Sequence, residues 1–571
     1  MLELEEVSFT IRKNGEDLSL LDRVSLRVPK EHFMAIVGPS GCGKTTLLKT
    51  IAGLNPESDG ALFWNGRNLA QDGDFLPAEI GYVPQFSIAY EPLTVDESVE
   101  AAARLRVRSS TTAELDHRID RVLNETGLSQ INDRQVQVLS GGQKRRLGLA
   151  IELVSDPKLL LCDEVTSGLD PRSELEIVRL LHALSRKDGR IVLSVTHSLA
   201  HLDLYDSILV LHEGRVAFHG PPSQLTHYFS VTDSEEIFPQ LATRPSEQWH
   251  QSWQKHSASF QKALAKGRAL RTPPSNDPEP VPSKSSLQLP GFFSQFVTLL
   301  SRRWRLFFRD RGQVILQLAI IICFPILVII FSDKAAGNIR RYSDTKQQNL
   351  YQEVQEQQGV RADQAKVGSA ISGIIMFQVI LLSLMGSNNS AREIAGERPI
   401  YEKEKFAGLR PTAYLASKIA FLACLVIGQS LWMAFFVNFF GSFRGDFIAH
   451  AGFLLLINAS MTAICLAISS LMRTPEQASL LSIYLVGFQL PLSGAVLALP
   501  ENIEAFTRPF VSAYWAWSGS VEALQPQVYT AVKSVIDTSL SAHVACLYTL
   551  GAHIAVALLA TWVGTRRPQW Q

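Results

Sequence analysis

Gly38-Pro39-Ser40-Gly41-Cys42-Gly43-Lys44-Thr45-Thr46 is the stretch that decides the fold of the first part of this chain. It fits the pattern GxxxxGK[ST], in which a glycine-rich turn cradles phosphate. The pattern carries weight only between a strand and a helix. Both flanks have that character, Phe33-Met34-Ala35-Ile36-Val37 before it and Leu47-Leu48-Lys49-Thr50-Ile51-Ala52 after it. Glycine lets backbone approach a phosphate that a side chain would hold off. The loop N–H groups and the N-terminus of the next helix then point at the anion. In this chemistry Lys44 reaches the β- and γ-phosphates and the Thr45 hydroxyl holds Mg²⁺. A glycine-rich turn that binds nothing is the bland alternative, and the residues downstream argue against it.

A chain of 571 residues is long enough for several domains. Its formal net charge is zero, so no electrostatic footprint suggests nucleic acid as a partner. Apolar residues are unevenly spread: the first half is soluble in character, and long apolar runs dominate from about Val314 onward. The six cysteines, Cys42, Cys162, Cys323, Cys424, Cys465 and Cys546, show neither a disulfide framework nor metal-ligand spacing. Cys42 is the exception in reactivity: a helix N-terminus and Lys44 beside it both lower a thiol pKa, so it is expected to react with thiol reagents. The acidic opening Met1-Leu2-Glu3-Leu4-Glu5-Glu6 lacks the apolar core of a secretory leader. Membrane insertion is therefore expected to rely on internal segments.

Other motifs follow the phosphate loop in order. Leu2–Phe9 and Leu18–Val28 alternate as edge strands around the turn Lys13-Asn14-Gly15. Gly81-Tyr82-Val83-Pro84-Gln85 places a glutamine after a short strand. Thr94 and Glu97 form a capping-box start. Leu139-Ser140-Gly141-Gly142-Gln143 is a second glycine turn leading into a helix, whose N-terminus suits an anion. Leu159–Cys162 is a buried-type strand ending in Asp163 and Glu164, the usual construction of a metal–phosphate site. Ser167-Gly168-Leu169-Asp170 comes next, and the strand Ile191–Thr196 ends in His197. Each has a plain reading as a loop residue, a helix cap or a satisfied strand-end histidine. Their joint order and spacing change the odds.

From Leu2 to Phe229 this order resembles the ATPase domain of the ABC transporter superfamily, with Ser140-Gly141-Gly142-Gln143 as the discriminating signature. The resemblance implies ATP and Mg²⁺ as cofactors. Gly38, Pro39, Ser40, Gly41, Cys42, Gly43, Lys44, Thr45 and Thr46 then bind the nucleotide. Thr45, Gln85 and Asp163 serve Mg²⁺; Glu164 polarises the attacking water, assisted by Gln85 and His197. Ser140, Gly141, Gly142 and Gln143 grip the γ-phosphate of a nucleotide held by a partner subunit, and Asp170 is placed with the nucleotide-binding residues. One departure stands out: the family often stacks adenine on an aromatic residue after the first strand, and the matching position here is Ile11.

The domain reading is residues 1–230 for the ATPase, 231–290 for a polar, Pro-rich linker and 291–571 for a membrane domain. Arg271–Pro280 lacks apolar residues for a core and reads as extended. Glu247–Leu270 reads as a polar helix without chemistry. Phe292–Arg311 mixes aromatic and arginine residues as a helix at a membrane surface does. Six apolar segments follow, each near the ~20 residues needed to cross a bilayer: Val314–Phe331, Val367–Ser387, Ala413–Phe440, Ala451–Met472, Gln477–Leu499 and His543–Gly564. Basic residues crowd the stretch before the first span, Arg392–Lys418, Arg473 and Arg566-Arg567, which puts the ATPase and both termini on the cytoplasmic side. The Ser332–Lys366 loop, on the other side, also carries basic residues, so the rule is followed imperfectly.

The fold class expected is thus an α/β P-loop ATPase domain followed by an all-α six-helix transmembrane domain. That order in a half-sized chain resembles the ABCG (white, pigment and sterol exporter) subfamily, whose coupling segment matches Ala391–Gly408. By the same analogy spans two and five face a central cavity, making Phe377, Gln378, Phe488 and Gln489 candidates for substrate contact. Gln317, Gln429, Asn438 and Asn458 are expected mainly as interhelical hydrogen bonders. Glu501–Trp517 is aromatic-rich and expected at the outer interface. The functional expectation is an exporter that dimerises with a second copy of itself, sits in the lipid bilayer and moves a small lipophilic or amphipathic substrate. The alternatives are an ATP-dependent importer and a membrane ATPase relaying force to an extracytoplasmic partner.

Overall fold

The computed structural model describes residues 1–567 except 14, 87, 110, 270–288, 345–352, 442–445 and 496–498. The chain divides into two compact units: residues 1–298 together with 403–409, and residues 299–402 with the chain from 410 onward.

The first unit holds ten strands: β1 (Leu2–Lys13), β2 (Glu16–Val28), β3 (His32–Val37), β4 (Asp59–Trp64), β5 (Arg67–Asn68), β6 (Ile80–Val83), β7 (Leu159–Asp163), β8 (Ile191–Val195), β9 (Ser207–His212) and β10 (Arg215–Gly220). β2-β1-β4-β5 form an antiparallel sheet, and β10-β9-β3-β8-β7-β6 form the main one. In the main sheet β9, β3, β8, β7 and β6 run parallel. Every residue of β3, β6, β7 and β8 is buried. Near-continuous apolar runs covered on both faces are what a parallel sheet requires. Such sheets present their ligands at the carboxyl ends of the strands. Here the phosphate loop follows β3, His197 follows β8, Asp163 and Glu164 end β7, and Gln85 follows β6. These four strands are consecutive neighbours, so one sheet edge collects all four motifs.

The first unit extends well past residue 230. Helix Ser246–Ala269 packs Trp249, Trp253 and Phe260 into the same core as the sheet. Phe260 meets the rings of Phe218 and Tyr228 at 5.2 and 5.6 Å. Trp249 Nε1 donates to Leu241 O at 3.1 Å, and Arg215 pairs with Glu247. The polar residues of this helix therefore outline an apolar stripe that belongs to the domain, and the boundary expected at residue 230 is corrected. The Pro-rich stretch 271–280 lies outside the described residues.

Among the described residues five helical stretches are long and apolar enough to cross a membrane: Arg311–Ile330, Gln364–Phe406, Pro411–Phe440, Phe447–Leu471 and His543–Arg566. Six were expected. The fifth expected span, Gln477–Leu499, is a helix from Pro475 to Leu492 with Pro491 inside it. Its 18 residues reach about 27 Å at 1.5 Å per residue, at the short end of the range for a membrane-crossing helix. Four spans are joined by buried amides. Gln317 Nε2 donates to Asn389 Oδ1 at 2.9 Å, Asn389 Nδ2 to Gln429 Oε1 at 2.8 Å, and Gln429 Nε2 back to Gln317 Oε1 at 3.0 Å. Asn458 Nδ2 adds bonds to Gln429 Oε1 and Ser430 Oγ, both 3.2 Å.

Two expectations inside this unit change. Gln378 and Gln489 are buried and engaged, the first with His450 Nε2 at 3.1 Å and the second accepting from the Ala513 N–H at 3.0 Å. Of the aromatic-rich segment, Phe506 and Phe510 are exposed, but Tyr514 and Trp517 are fully buried. Trp517 Nε1 donates to Ser372 Oγ at 3.2 Å, so part of that segment is core rather than interface.

Candidate nucleotide site

The phosphate loop is shaped by contacts only glycine permits. A Cβ on Gly43, whose φ is 101°, would lie 2.7 Å from Leu20 O, and one on Gly38 would lie 2.4 Å from Leu211 O. The loop therefore rests directly on β2 and β9. The first helix, Lys44–Ile51, begins at the end of the loop. Lys44 Nζ donates to Gly38 O at 2.8 Å and Pro39 O at 2.9 Å, which fixes its ammonium inside the loop's curve.

The acidic half of the site meets it edge-on. Thr45 Oγ1 donates to Asp163 Oδ1 at 2.9 Å, and the Tyr82 hydroxyl donates to Asp163 Oδ2 at 3.2 Å. Burial pushes the Asp163 carboxyl up from its ordinary range, against the lowering by these two bonds. Glu164 follows in a left-handed backbone conformation, φ 46°, uncommon for a residue with a side chain. Its Oε2 accepts from Gln85 Nε2 at 2.8 Å and its Oε1 lies 2.6 Å from His197 Nε2. Lys44, Thr45, Gln85, Asp163, Glu164 and His197 thus come together, from four separate strand ends.

The remaining predicted residues are placed differently. Ser140 caps the helix Gly141–Leu153 in a full capping box, its Oγ accepting from Gln143 N and its N–H donating to Gln143 Oε1. Among the described residues no hydrogen bond joins Ser140–Gln143 to Gly38–Thr46. Asp170 is exposed and caps the helix Pro171–Ser185, its Oδ1 accepting from the N–H groups of Arg172 and Ser173. The structure gives this residue a helix-capping role. The reason is local: Asp followed by Pro is a strong helix start.

Cys42 also departs from expectation. It is buried, and burial pushes its thiol up despite the nearby Lys44 charge, whose Nζ is 4.0 Å from Sγ. A thiol in this environment is inert. Iodoacetamide should modify native Cys42 at least about tenfold more slowly than the unfolded chain, read by mass spectrometry of the loop peptide. Rapid native labelling at neutral pH would contradict this.

Two buried charge clusters were not anticipated from sequence. In the first unit Arg106 pairs with Glu152 at 2.9 Å, and Lys403 Nζ lies 3.1 Å from the same carboxylate. Burial alone would raise the Glu152 carboxyl, but the two cations outweigh it and hold it below its ordinary range. Beside this triad Phe406 meets Tyr82 edge-on at 6.5 Å, and Gln295 Nε2 bonds Leu105 O and Gly408 O. In the second unit Glu393 is held by Arg303 at 2.6 Å and Lys418 at 2.9 Å, while Lys418 also pairs with Glu397 at 2.7 Å. Arg303 lies over the Phe421 ring at 4.2 Å. Arg398 Nη2 donates to Ser470 O. Pro399 begins the helix Arg398–Phe406 instead of breaking one.

Comparison with known proteins agrees with both halves. Residues 21–167 match the family described as ABC transporter, and residues 294–515 match the ABC-2 type transporter family. The ABC transporter ATP-binding/permease protein Rv1747 of Mycobacterium tuberculosis is 31% identical over 536 residues, covering 91% of this chain and 57% of that protein. Both halves of this chain thus match ABC transporter families. ABC transporter G family member 23 of Arabidopsis thaliana is 35% identical over 234 residues, 38% of this chain and 36% of the plant protein. The sulfate/thiosulfate import ATP-binding protein CysA of Mycobacterium bovis is 38% identical over 217 residues, 37% of this chain and 60% of the import protein. This chain therefore spans less than two thirds of each of these relatives. A solved dimeric structure of the ATP-binding cassette MJ0796 with ADP and Pi aligns with 39% of this chain and 98% of that one, at 28% identity and a TM-score of 0.36. The transporter carries an ABC-type ATPase domain ahead of an ABC-2 membrane domain, and is a multi-pass membrane protein.

Proposed function

We propose that this transporter hydrolyses ATP as a dimer of identical chains and exports a lipophilic or amphipathic substrate, with the ATPase domain on the cytoplasmic side. The observation that carries the hydrolytic part is the meeting of Lys44, Thr45, Gln85, Asp163, Glu164 and His197 at one sheet edge. Lys44 binds the phosphates through its ammonium. Thr45 Oγ1 and Asp163 Oδ1, 2.9 Å apart, are a hard-oxygen pair of the kind Mg²⁺ takes with phosphate; the donor set fits. Mg²⁺ held by these two oxygens would supply charge neutralisation to the phosphates. Glu164 orients the attacking water and takes its proton on a carboxylate oxygen. Gln85 and His197 hold that carboxylate from either side. No covalent intermediate on the protein is required, since phosphoryl transfer depends on positioning and electrostatics.

Export is favoured by the order of domains on one chain and by the ABC-2 match over the membrane part. The import ATP-binding proteins CysA and MetN match over 37% and 39% of the chain, and by their names as ATP-binding proteins bear on nucleotide use rather than on direction. A dimer is supported by the single phosphate loop and single signature within these 571 residues.

The test is ATP-dependent uptake of amphipathic dyes and lipids by inverted membrane vesicles containing the full chain. ATP-dependent accumulation inside such vesicles supports export. Loss of a preloaded compound instead would favour import. Glu393→Gln in the same assay should bind ATP normally and lose most transport, because the change uncouples Arg303 and Lys418, which that carboxylate holds together. Unchanged transport, or lost ATP binding, would remove Glu393 from a coupling role.

A further inference from the structure

We propose that Tyr82 is a positioning residue for the metal carboxylate: its hydroxyl fixes Asp163 Oδ2 and so keeps Asp163 Oδ1 turned to Thr45. This rests on the nucleotide-hydrolysing reading above and deepens it by adding a residue to the same site.

The strand comes first. β6 reads Ile80-Gly81-Tyr82-Val83, and Tyr82 is its one residue with a polar side-chain atom. Tyr82 pairs in register with Leu161 of β7, the strand that ends in Asp163. Every residue of both strands is buried, and Tyr82 itself is 3% exposed. Phenylalanine would fill the same space and bury no hydroxyl. A buried hydroxyl is costly unless it is bonded, so its presence on this strand asks for a reason.

The partner supplies one. The Tyr82 hydroxyl donates to Asp163 Oδ2 at 3.2 Å, and Thr45 Oγ1 donates to Asp163 Oδ1 at 2.9 Å. The two donors take opposite oxygens of one carboxylate. The torsion that turns a carboxylate is broad and roughly two-fold, so the strand alone does not decide which oxygen meets Thr45. Thr45 is a poor anchor for that choice, because its own oxygen serves the metal. Tyr82 comes from a different strand and holds the far oxygen.

The phenol is itself held. Its backbone is paired within the sheet, and the Phe406 ring meets it edge-on at 6.5 Å. Close packing of this kind leaves the ring little room to turn. Carboxylates that bind metals are in turn hydrogen-bonded, and loss of that outer partner weakens the metal. A bond to an ionised acceptor in a site poor in water is among the stronger ones. The plain alternative is a buried hydroxyl satisfied by the nearest acceptor, with no bearing on the metal.

The experiment uses the full chain in detergent or nanodiscs, a fixed excess of the β,γ-imido analogue of ATP, and Mn²⁺ as the probe metal. Equilibrium dialysis counts the Mn²⁺ and the analogue retained per chain above the dialysate. Tyr82→Phe should raise the Mn²⁺ concentration that half-fills the site about tenfold. The analogue retained in EDTA should stay within about twofold of wild type, because the hydroxyl acts through the metal carboxylate. Phosphate release should fall at limiting Mg²⁺ and rise toward the wild-type rate as Mg²⁺ is increased. In an Asp163→Asn chain, adding Tyr82→Phe should change metal retention by less than about twofold, since the two residues act as one unit. A shift below about threefold in the single variant, an equal loss of analogue in EDTA, or an undiminished effect in the Asp163→Asn chain would overturn the proposal. Failure of the wild-type chain to retain metal with the analogue would instead overturn the nucleotide reading itself.

Discussion

Exchange of Glu164 for Gln is expected to leave ATP bound and to slow its hydrolysis by about 10²–10⁴-fold, the usual worth of a positioned acid–base group. The substitution is nearly isosteric, so the strand β7 and its buried neighbours need not move. What is lost is the ability to accept a proton, together with the charge beside His197, whose Nε2 lies 2.6 Å away. One of the two carboxylate oxygens becomes an amide nitrogen, and the hydrogen bond donated by Gln85 at 2.8 Å competes for the one oxygen that remains. Binding of the triphosphate depends on Lys44 and the loop backbone and should persist. Phosphate release at saturating ATP is the measurement, with nucleotide retention as its control. Activity close to wild type would remove Glu164 from the role.

The second large effect concerns assembly. If the proposed dimer forms composite sites, each pairing one phosphate loop with the partner's signature, a Lys44→Ala chain and a Ser140→Arg chain should each be inactive as homodimers. Mixed dimers hold one site with both defects and one with neither. They should regain up to about half of the wild-type rate per dimer when sites act independently, by two-fold symmetry. The geometry supports the test. Ser140 and Gly141 are exposed, and their capping box keeps the helix start ordered without the phosphate loop. Arginine at Ser140 abolishes the cap and occupies the surface that a partner would meet. No recovery in a verified mixed dimer would mean that both sites must fire together. ATP hydrolysis by strictly monomeric chain would overturn the composite site.

What the sequence made legible was local. The phosphate loop, the two acids after β7 and the histidine after β8 each sit at a strand end, and the strand itself announces the position. Long-range partners were not legible. Arg303 and Glu393 are ninety residues apart, and nothing in either neighbourhood identifies the other. The Arg106–Glu152–Lys403 triad draws on three segments and reads in sequence as three ordinary surface charges. Helix Ser246–Ala269 carries three large aromatic residues spread over a polar sequence, and their spacing is the signal that ties it to the core. Cys42 shows two effects in competition: the neighbouring ammonium lowers a thiol pKa, but burial raises it more. In the apolar stretch 477–499 the helix ends at Leu492, after Pro491 and before the left-handed Gly494, a boundary that composition alone does not mark.

The amide ring has a consequence for biogenesis. Its members Gln317, Asn389 and Gln429 lie on consecutive spans, and Asn458 lies on the next. A carboxamide left alone in hydrocarbon has no water to bond, so each new span that enters the bilayer seeks a polar partner. The first two spans to be synthesised already carry a matching donor and acceptor, Gln317 and Asn389. The third closes the ring and the fourth adds Asn458 to an acceptor that is already fixed. The order of synthesis and the order of bonding coincide, and at no stage must a later helix displace a partner from an earlier one.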